Sequence, residues 1–377
     1  MSAKLTTANV IAQSASTQKH INVLSRLVLL GHSENPNENR VPVHSDLEYV
    51  SGLNDDDRVE FLRLANTHHV TVRALEALET CAITAGDDRV QDWCNAVLSS
   101  ERSRINHAIQ FLAPICNALE AAGAKVTVIK SLDHWPDLGS DLDLYTSGDP
   151  STVIQVMSET FDAKPESRSW GDRLANKWNF SVPGLPELIE IHVRYLGQTG
   201  EHRAMALRVA ERRVTKTVNG CVFQVPAPEE RVIISTLQRM YRHFYFRLCD
   251  MADFSALLQS RAIDFVELRK AARMGGVWPG VATFLFLVSE YAKSFGANVE
   301  VPHEVLASAY SHEVRVHLGG DFLRVPKGPA AGLYRSQLLN ASRNVDFRAI
   351  SRLPLLPPLA ICALIAFRLT GSDKGVW

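Results

Sequence analysis

Cysteine is scarce in this chain, and its spacing argues against the common cysteine-based architectures. The six cysteines are scattered through 377 residues, with no Cys-x-x-Cys pair and no regular Cys/His spacing. This pattern indicates neither a disulfide framework nor a zinc site. The adjacent His68-His69 pair adds no metal signature, because neighbouring residues on a helix point about 100° apart. Reduced thiols are typical of the cytoplasm, where we expect this protein.

The chain also lacks an excess of charge of either sign. It has 40 Lys or Arg residues against 41 Asp or Glu residues, a net charge of -1. Binding to a long nucleic acid requires several basic side chains that neutralise phosphates. We therefore expect no DNA partner, and we favour other partners over transfer RNA. A hydrophobic content of 46% and a charged content of 21% are those of an ordinary soluble globular protein.

No hydrophobic run is long enough to predict a membrane span. The first residues lack the charged-then-apolar pattern of a signal peptide. The last apolar run, residues 353–369, carries Pro354, Pro357 and Pro358 in its first third, and a spanning helix needs about 20 apolar residues. We expect a buried helix there. The alternative is a partner-binding or membrane-surface tail, because the segment after residue 322 has eight Lys or Arg and two Asp.

A pair of aspartates on a predicted strand is the most informative feature that is present. Residues 125–130 and 141–145 have the composition of two short strands. Because side chains alternate along a strand, Asp141 and Asp143 share one face while the intervening leucines enter the core. Paired carboxylates suit Mg²⁺. A solvated surface strand would have the same Asp-x-Asp pattern, but the apolar flanks and the Gly139-Ser140 turn favour a metal site.

A third acid follows on a later strand. The sequence predicts strands over residues 178–182 and 188–195, joined by the Pro183-Gly184 turn. Glu190 and His192 share a face of the second strand. Glu190 can therefore complete a three-carboxylate metal site, although a solvated strand position is the alternative. For His192 we favour a hydrogen-bonding role over a catalytic one.

A hairpin and a helix are predicted after these strands. Asn219-Gly220 suits a two-residue turn between the strands of residues 214–225, and we expect this hairpin to close the sheet edge. Further along, His243, Arg247 and Asp250 have i, i+4 and i+7 spacing, which places them on one face of a helix. Such a stripe in an apolar helix forms either a buried supporting network or the wall of a ligand cleft.

The order of these motifs resembles the DNA polymerase beta-like nucleotidyltransferase superfamily. Within it, the chain resembles a broad, mostly uncharacterised bacterial nucleotidyltransferase family over roughly residues 45 to 260. The resemblance rests on four segments: Val128-Ile-Lys-Ser131, Asp141-Leu-Asp143, Leu188-Ile-Glu-Ile-His192, and the pattern His243-Phe-x-x-Arg247-Leu-x-x-Asp250-x-x-Asp253. There are two departures: Lys130-Ser131 stands where close relatives have Lys-Gly, and the Arg that they place shortly before the Asp pair is missing.

The resemblance implies an α+β fold, with a mixed β-sheet core of the nucleotidyltransferase type between N- and C-terminal helical lobes. We expect an N-terminal helical region at 1–122, the catalytic core at 123–225 and a C-terminal helical region at 226–377. A chain of this length is expected to form more than one lobe, because single cores rarely exceed about 250 to 300 residues.

The resemblance also implies a reaction: Mg²⁺-dependent transfer of a nucleoside monophosphate from an NTP, with ATP as first candidate, to a hydroxyl of a small molecule or protein. The implied catalytic and metal-binding residues are Asp141, Asp143 and Glu190, with Glu190 helping to deprotonate the acceptor. The implied nucleotide-binding residues are Lys130, Ser131, Ser140, His243, Arg247 and Asp250. Three alternatives stay open: a toxin that modifies transfer RNA, a kinase-like phosphotransferase, and a non-catalytic nucleotide-binding scaffold.

Overall fold

The computed structural model of this chain describes residues 7–30, 41–310, 314–325 and 327–370. After the first gap, a helix begins at Val41.

Five helices form the described part of the chain up to residue 121. Asn54 caps the third helix by accepting the Asp57 N–H, and Asp87 caps the fifth by accepting the Val90 N–H. These caps satisfy N–H groups that would otherwise lack a partner in the first helical turn. The helices are α1 (Thr7–Leu30), α2 (Val41–Ser51), α3 (Asp55–Thr67), α4 (Thr71–Ala85) and α5 (Asp88–Ala121).

A mixed five-stranded sheet follows and positions the acidic residues. Its strands are β1 (Val126–Val128), β2 (Asp141–Thr146), β3 (Lys164–Pro165), β4 (Lys177–Ser181) and β5 (Leu188–Val193). Their spatial order is β1-β2-β5-β4-β3, and β2 and β5 run parallel while the other pairs are antiparallel. The predicted α+β fold with a mixed sheet between helices is confirmed.

Burial on one face fixes the register of β2. Leu142 and Leu144 are fully buried, and burying each contributes roughly 1.5–3 kcal/mol. A slip of one residue would place Asp141 and Asp143 in the core instead. The aspartates therefore stay on the opposite face of the strand, as the alternation predicts.

Three helices pack around this sheet: α6 (Pro150–Phe161), α7 (Trp170–Ala175) and α8 (Ala204–Glu211). The chain next forms a hairpin from β6 (Arg213–Val218) and β7 (Cys221–Pro226). Asn219 and Gly220 both have positive φ angles, as a two-residue turn of this kind requires. We expected the hairpin to close the edge of the sheet. This expectation is wrong, because β6 and β7 are not hydrogen-bonded to the five-stranded sheet and form a separate two-stranded sheet.

The helix predicted to carry His243, Arg247 and Asp250 is interrupted, and this prediction is wrong. Helix α9 (Pro228–Gln238) continues into a π-helical turn (Arg239–His243), after which Phe244 adopts a left-handed conformation. The chain then forms a short strand, β8 (Tyr245–Phe246), before α10 (Leu248–Gln259) begins. His243 therefore lies on the π-helical turn, Arg247 at the N-cap of α10 and Asp250 inside α10.

The remaining elements are helical apart from two short strands that pair with β8 in the order β8-β10-β9. Gly275 and Gly276 lie between α11 and α12. The elements are α11 (Phe265–Met274), α12 (Trp278–Ser294), α13 (His303–Leu306), β9 (His317–Gly319), β10 (Phe322–Arg324), α14 (Lys327–Arg343), α15 (Phe347–Arg352), a 3-10 turn (Leu353–Leu355) and α16 (Leu356–Thr370).

The apolar run at residues 353–369 is not the buried helix that the sequence predicts. Most of this segment does form a helix, α16, but several of its apolar side chains are exposed: Ile361 is 58%, Ile365 51% and Leu369 80% accessible. These three residues are spaced four apart and therefore share a face. Among the described residues, no helix combines the length and the apolar character that a membrane span needs.

One hydrophobic core runs from α1 through the sheet to α14, and a second small cluster contains Ala341, Ala349 and Leu353. Side chains of the N-terminal helices, the sheet and the later helices share the larger core. The division at residues 122 and 225 stays a prediction.

Candidate active site

Two acidic side chains lie next to each other across the parallel strands. Asp143 on β2 pairs in register with Glu190 on β5, so their carboxylates share one face of the sheet. Ligand atoms of Asp143, Glu190 and His192 all lie within 4.8 Å of one another. Asp141 is outside this group; it lies at the start of β2 with an exposed carboxylate. The structure thus brings two of the three predicted metal ligands together and leaves the third at the entrance.

Two lysines compensate the charge of these acids. Lys130 Nζ contacts the Asp143 carboxylate and lies 3.6 Å from Glu190 Oε1. Lys177 Nζ lies 2.9 Å from Glu190 Oε2 and 2.8 Å from Asp172 Oδ1. Burial alone would raise the pKa of Glu190, but Lys130, a hydrogen bond from His192 and Lys177 hold that pKa well below its ordinary value. Glu190 is therefore ionised and held in place.

The pKa of Asp141 is shifted in the direction opposite to that of Glu190. Its pKa is raised by partial burial at the cavity wall and by the negative charges of Asp143 and Glu190. Lys130 and Lys177 oppose this shift without cancelling it. Two carboxylates that repel each other are stabilised by a nearby cation. A further cation near Asp141 would therefore be stabilised by these carboxylates.

His192 orients Glu190. Its Nε2 lies 2.8 Å from Glu190 Oε1 and donates to that oxygen. Its Nδ1 is buried and has no hydrogen-bond partner among the described residues. The geometry agrees with the hydrogen-bonding role that we favoured for this histidine.

The loop between β1 and β2 explains why serine follows Lys130 here. Ser131 Oγ accepts the Asp143 N–H at 2.7 Å and donates to the Asp141 carbonyl at 3.2 Å. Lys130 itself adopts a left-handed φ of 60°. Ser131 thus ties the loop to β2 by two hydrogen bonds that a glycine side chain could not make. The Ser131 hydroxyl is already hydrogen-bonded to β2. Its role as a hydrogen-bond donor to a phosphate therefore stays a prediction.

A cavity of about 200 Å³ opens over these residues and is lined by acidic and by basic side chains, which we call its acidic wall and its basic wall. The acidic wall holds Asp141, Asp143 and Glu190. Lining residues that we predicted as nucleotide-binding are Lys130, Ser131, Ser140, His243 and Arg247. The sequence reasoning did not assign the other seven lining residues to the site: His69, His134, Gly139, Gln238, Arg239, Arg242 and Tyr245. Arg239 precedes His243 by four residues, so extending the polar stripe backwards would have found it.

Asp250 supports the cavity from behind and does not line it. Its carboxylate forms an ion pair with Arg239 (Nε to Oδ2, 2.8 Å) and accepts the Arg247 N–H at 2.7 Å. Both side chains of the pair are about 2% exposed. Of the two alternatives for the stripe, Asp250 thus fits the supporting network, while His243 and Arg247 face the cavity.

The basic wall has hydrogen-bonding capacity to spare. Arg247 Nε is buried and lacks a partner among the described residues, and Arg247 Nη1 is 3.4 Å from His69 Nδ1. Burial and the charges of Arg242, Arg239 and Arg247 hold the pKa of His243 well below its ordinary value. His243 is therefore neutral, and the positive charge of this wall comes from arginines and Lys130.

The site thus combines carboxylates on neighbouring strands with several basic side chains in one cavity. The family model described as "Uncharacterised nucleotidyltransferase" matches residues 54–293. This match covers more than half of the chain, and the protein belongs to that nucleotidyltransferase family. The resemblance noted from the motifs is confirmed, and the match extends further towards the C-terminus than they did. No curated protein matches the chain.

Proposed function

We propose that the protein transfers a nucleoside monophosphate from an NTP, with ATP as first candidate, to a hydroxyl of a small molecule or protein, in a Mg²⁺-dependent reaction. The observation that carries this proposal is the cavity lined by the carboxylates of Asp143 and Glu190 and by the basic side chains of Lys130, Arg242 and Arg247. Carboxylates suit a metal ion, and basic side chains suit a triphosphate.

The donor set at the acidic wall fits Mg²⁺. Asp141, Asp143 and Glu190 offer hard carboxylate oxygens, and Mg²⁺ binds one or two carboxylates together with water and phosphate oxygens. The pKa of Asp141 is raised by burial and by the negative charges of Asp143 and Glu190, and a divalent ion would offset that negative charge. When bound, Mg²⁺ would neutralise charge on the phosphates and orient the attacking and leaving oxygens.

The basic wall would hold the triphosphate. Lys130 pairs with Asp143 in the present arrangement and would turn to the phosphates once the carboxylate is otherwise neutralised. Arg247 and Arg242 would bind phosphate oxygens through their guanidinium groups. Each guanidinium can donate two hydrogen bonds to two oxygens of one phosphate. Neutral His243 would contribute a hydrogen bond without adding charge.

Proton removal from the acceptor is better assigned to Asp141 than to Glu190. The Glu190 oxygens are engaged by Lys177 and His192, and its lowered pKa makes it a weak base. Asp141 is exposed to the cavity, and its raised pKa makes it the stronger base. The acceptor oxygen would then attack the α-phosphorus, Asp141 would take the proton, and the bond to the β-phosphate would break to release pyrophosphate.

Labelled ATP tests the reaction. Purified protein, Mg²⁺ and a cell extract are incubated with ATP labelled at the α- or the γ-phosphorus, and label attached to extract components is measured. We expect transfer of the α-label only, and its loss with Asp143→Asn. Glu159→Gln, an exposed acid on α6, is the matched control. Transfer of the γ-label alone would support the kinase-like alternative, and no transfer of either would support the scaffold.

The acceptor class can be tested separately by salt dependence. Binding to a polynucleotide weakens steeply with salt because bound counterions are released. We expect neither transfer RNA nor a short duplex to be retained tightly at low or physiological salt. Tight, strongly salt-dependent retention of transfer RNA, lost on deleting residues 322–377, would make the toxin alternative the leading one.

A further inference from the structure

We propose that His69, His134 and Cys249 bind a zinc ion in the wall of the same cavity, at a site distinct from the carboxylates. Ligand atoms of these three side chains all lie within 4.8 Å of one another. The proposal does not depend on the proposed function, because it concerns different residues and a different class of metal.

The distance between two of the ligand atoms fits tetrahedral zinc. His134 Nε2 lies 3.7 Å from Cys249 Sγ. Zinc binds histidine nitrogen at about 2.0–2.1 Å and thiolate sulfur at about 2.3 Å, so a tetrahedral angle separates the two atoms by about 3.6 Å. The two side chains thus need little movement to share one ion.

A buried carboxylate holds His134 in the orientation that a ligand needs. The Asp253 carboxylate contacts His134 Nδ1, and Arg73 Nη1 holds Asp253 at 2.6 Å. With its proton on Nδ1, the ring presents the Nε2 lone pair towards Cys249. Zinc-binding histidines almost always have such a partner on their second nitrogen.

His69 is placed at the site by unusual backbone geometry. It follows the end of α3 and has a left-handed φ of 52°. Gly139 packs against its ring so closely that a Cβ at position 139 would lie 2.9 Å from His69 Cε1. His68, its neighbour, points elsewhere and bonds the Asp321 carbonyl and the Leu248 N–H. The left-handed conformation of His69 and the space left by Gly139 together place the ring at this position.

The composition of the site favours zinc over magnesium. Imidazole and thiolate are the softer ligands that zinc prefers, whereas carboxylate oxygens suit Mg²⁺. His69 and His134 line the cavity, so an ion could enter from it, and we expect the fourth position to face it. Three protein ligands with an open fourth position are typical of zinc sites that contact water or a bound molecule.

Metal analysis of the full-length protein tests this proposal without nucleotide. Protein expressed with added zinc is desalted, and its metal content is measured by mass spectrometry. We expect about one zinc per chain, as a three-ligand site predicts, and strong loss of zinc with Cys249→Ser or His69→Gln. Cys94→Ser is the matched control, because Cys94 is also a fully buried thiol on a helix.

Cobalt gives an independent readout if one variant fails to fold. Wild-type protein loaded with Co²⁺ should show the near-ultraviolet absorption of a cobalt–thiolate bond, and Cys249→Ser and His69→Gln should each lack it or weaken cobalt binding at least about tenfold. Absence of zinc and of this absorption in the folded wild type would overturn the proposal and leave Cys249, His134 and Asp253 as a metal-free hydrogen-bonded triad. Unchanged zinc content in both folded variants would overturn it equally.

Discussion

Asp143 on β2 lies directly opposite Glu190 on β5, and Lys130 contacts both carboxylates. A pair of ionised acids on neighbouring strands repels unless a cation lies near. The lysine thus stabilises the site when no metal ion is bound. Competition between this lysine and a divalent ion underlies the first two predictions.

The two aspartates of β2 should differ in their effect on stability and agree in their effect on turnover. Asp143→Asn removes the partner of Lys130 and should lower the melting temperature slightly. Asp141→Asn removes a carboxylate repelled by its neighbours, so the melting temperature should hold or rise. Each should reduce nucleotide turnover at least about 100-fold, the scale of losing one electrostatic contact in an active site. Near wild-type turnover in either variant would refute the site assignment.

Replacing Lys130 should make the fold depend on divalent ions. In Lys130→Met, Asp143 loses its contact and Glu190 keeps Lys177, so we expect a lower melting temperature in metal-free buffer. Mg²⁺ should then raise the melting temperature by more than it does in the wild type, because the ion binds the folded state. Lys125→Met, at an exposed position just before β1, is the control. An equal Mg²⁺ response in all three proteins would mean that the ion does not bind beside Lys130.

Arg239 and Arg247 should separate support from ligand contact. Arg239→Met leaves buried Asp250 without its ion-pair partner and should cost about 3–5 kcal/mol of unfolding free energy. Arg247→Met removes a side chain that has no ion-pair partner in the part of the chain that the structure describes, so denaturant unfolding should change little. Its ATP affinity should fall about tenfold or more, as expected for losing a hydrogen bond to a charged group. The reverse pattern, with a destabilised Arg247 variant and unchanged ATP affinity, would exchange the two roles.

His68 should make the fold less stable as pH falls. Its Nδ1 accepts the Leu248 N–H and its Nε2 donates to the Asp321 carbonyl. Protonation of Nδ1 would therefore place its N–H against the Leu248 N–H. Burial and the charge of Arg247 lower the pKa of His68 from 6.5 to about 4. The unfolded chain therefore binds a proton between these values that the folded chain does not. Stability should fall by about 3 kcal/mol as pH decreases from 6.5 to 4.

Denaturant unfolding across that pH range checks the prediction. His68→Gln keeps a donor and an acceptor but does not titrate, so its stability should fall less with pH. His303→Gln, at an exposed position on α13, should keep the wild-type pH profile. Identical profiles for all three proteins would show that His68 does not carry the effect.

Local patterns predicted the parts of the fold that local forces decide. The alternation around Leu142 and Leu144 and the Asn219-Gly220 turn are set by neighbouring residues. The single helix through His243 and Asp250 failed because the Phe244 conformation ends one helix and Arg247 begins another. Only the contact of β8 with β10 explains the strand between them, and that pairing is not visible in local spacing.

The candidate site was predictable only where two functional residues share one strand or turn. Asp141 and Asp143 are such a case. His69, His134 and Cys249 come from three distant segments that tertiary packing brings together, so no local spacing indicates them. Lys177 was missed because a single lysine on a strand has no distinguishing pattern until its contact with Glu190 is known.

The released product is the most direct test of nucleotidyl transfer. Wild-type protein, ATP, Mg²⁺ and extract are incubated, and pyrophosphate, ADP and phosphate are quantified after subtracting the same reaction with Asp143→Asn. Attack at the α-phosphorus predicts pyrophosphate in an amount equal to the adenylate attached to acceptor. ADP in an amount equal to phosphate attached to acceptor would contradict the account, because it would show attack at the γ-phosphorus.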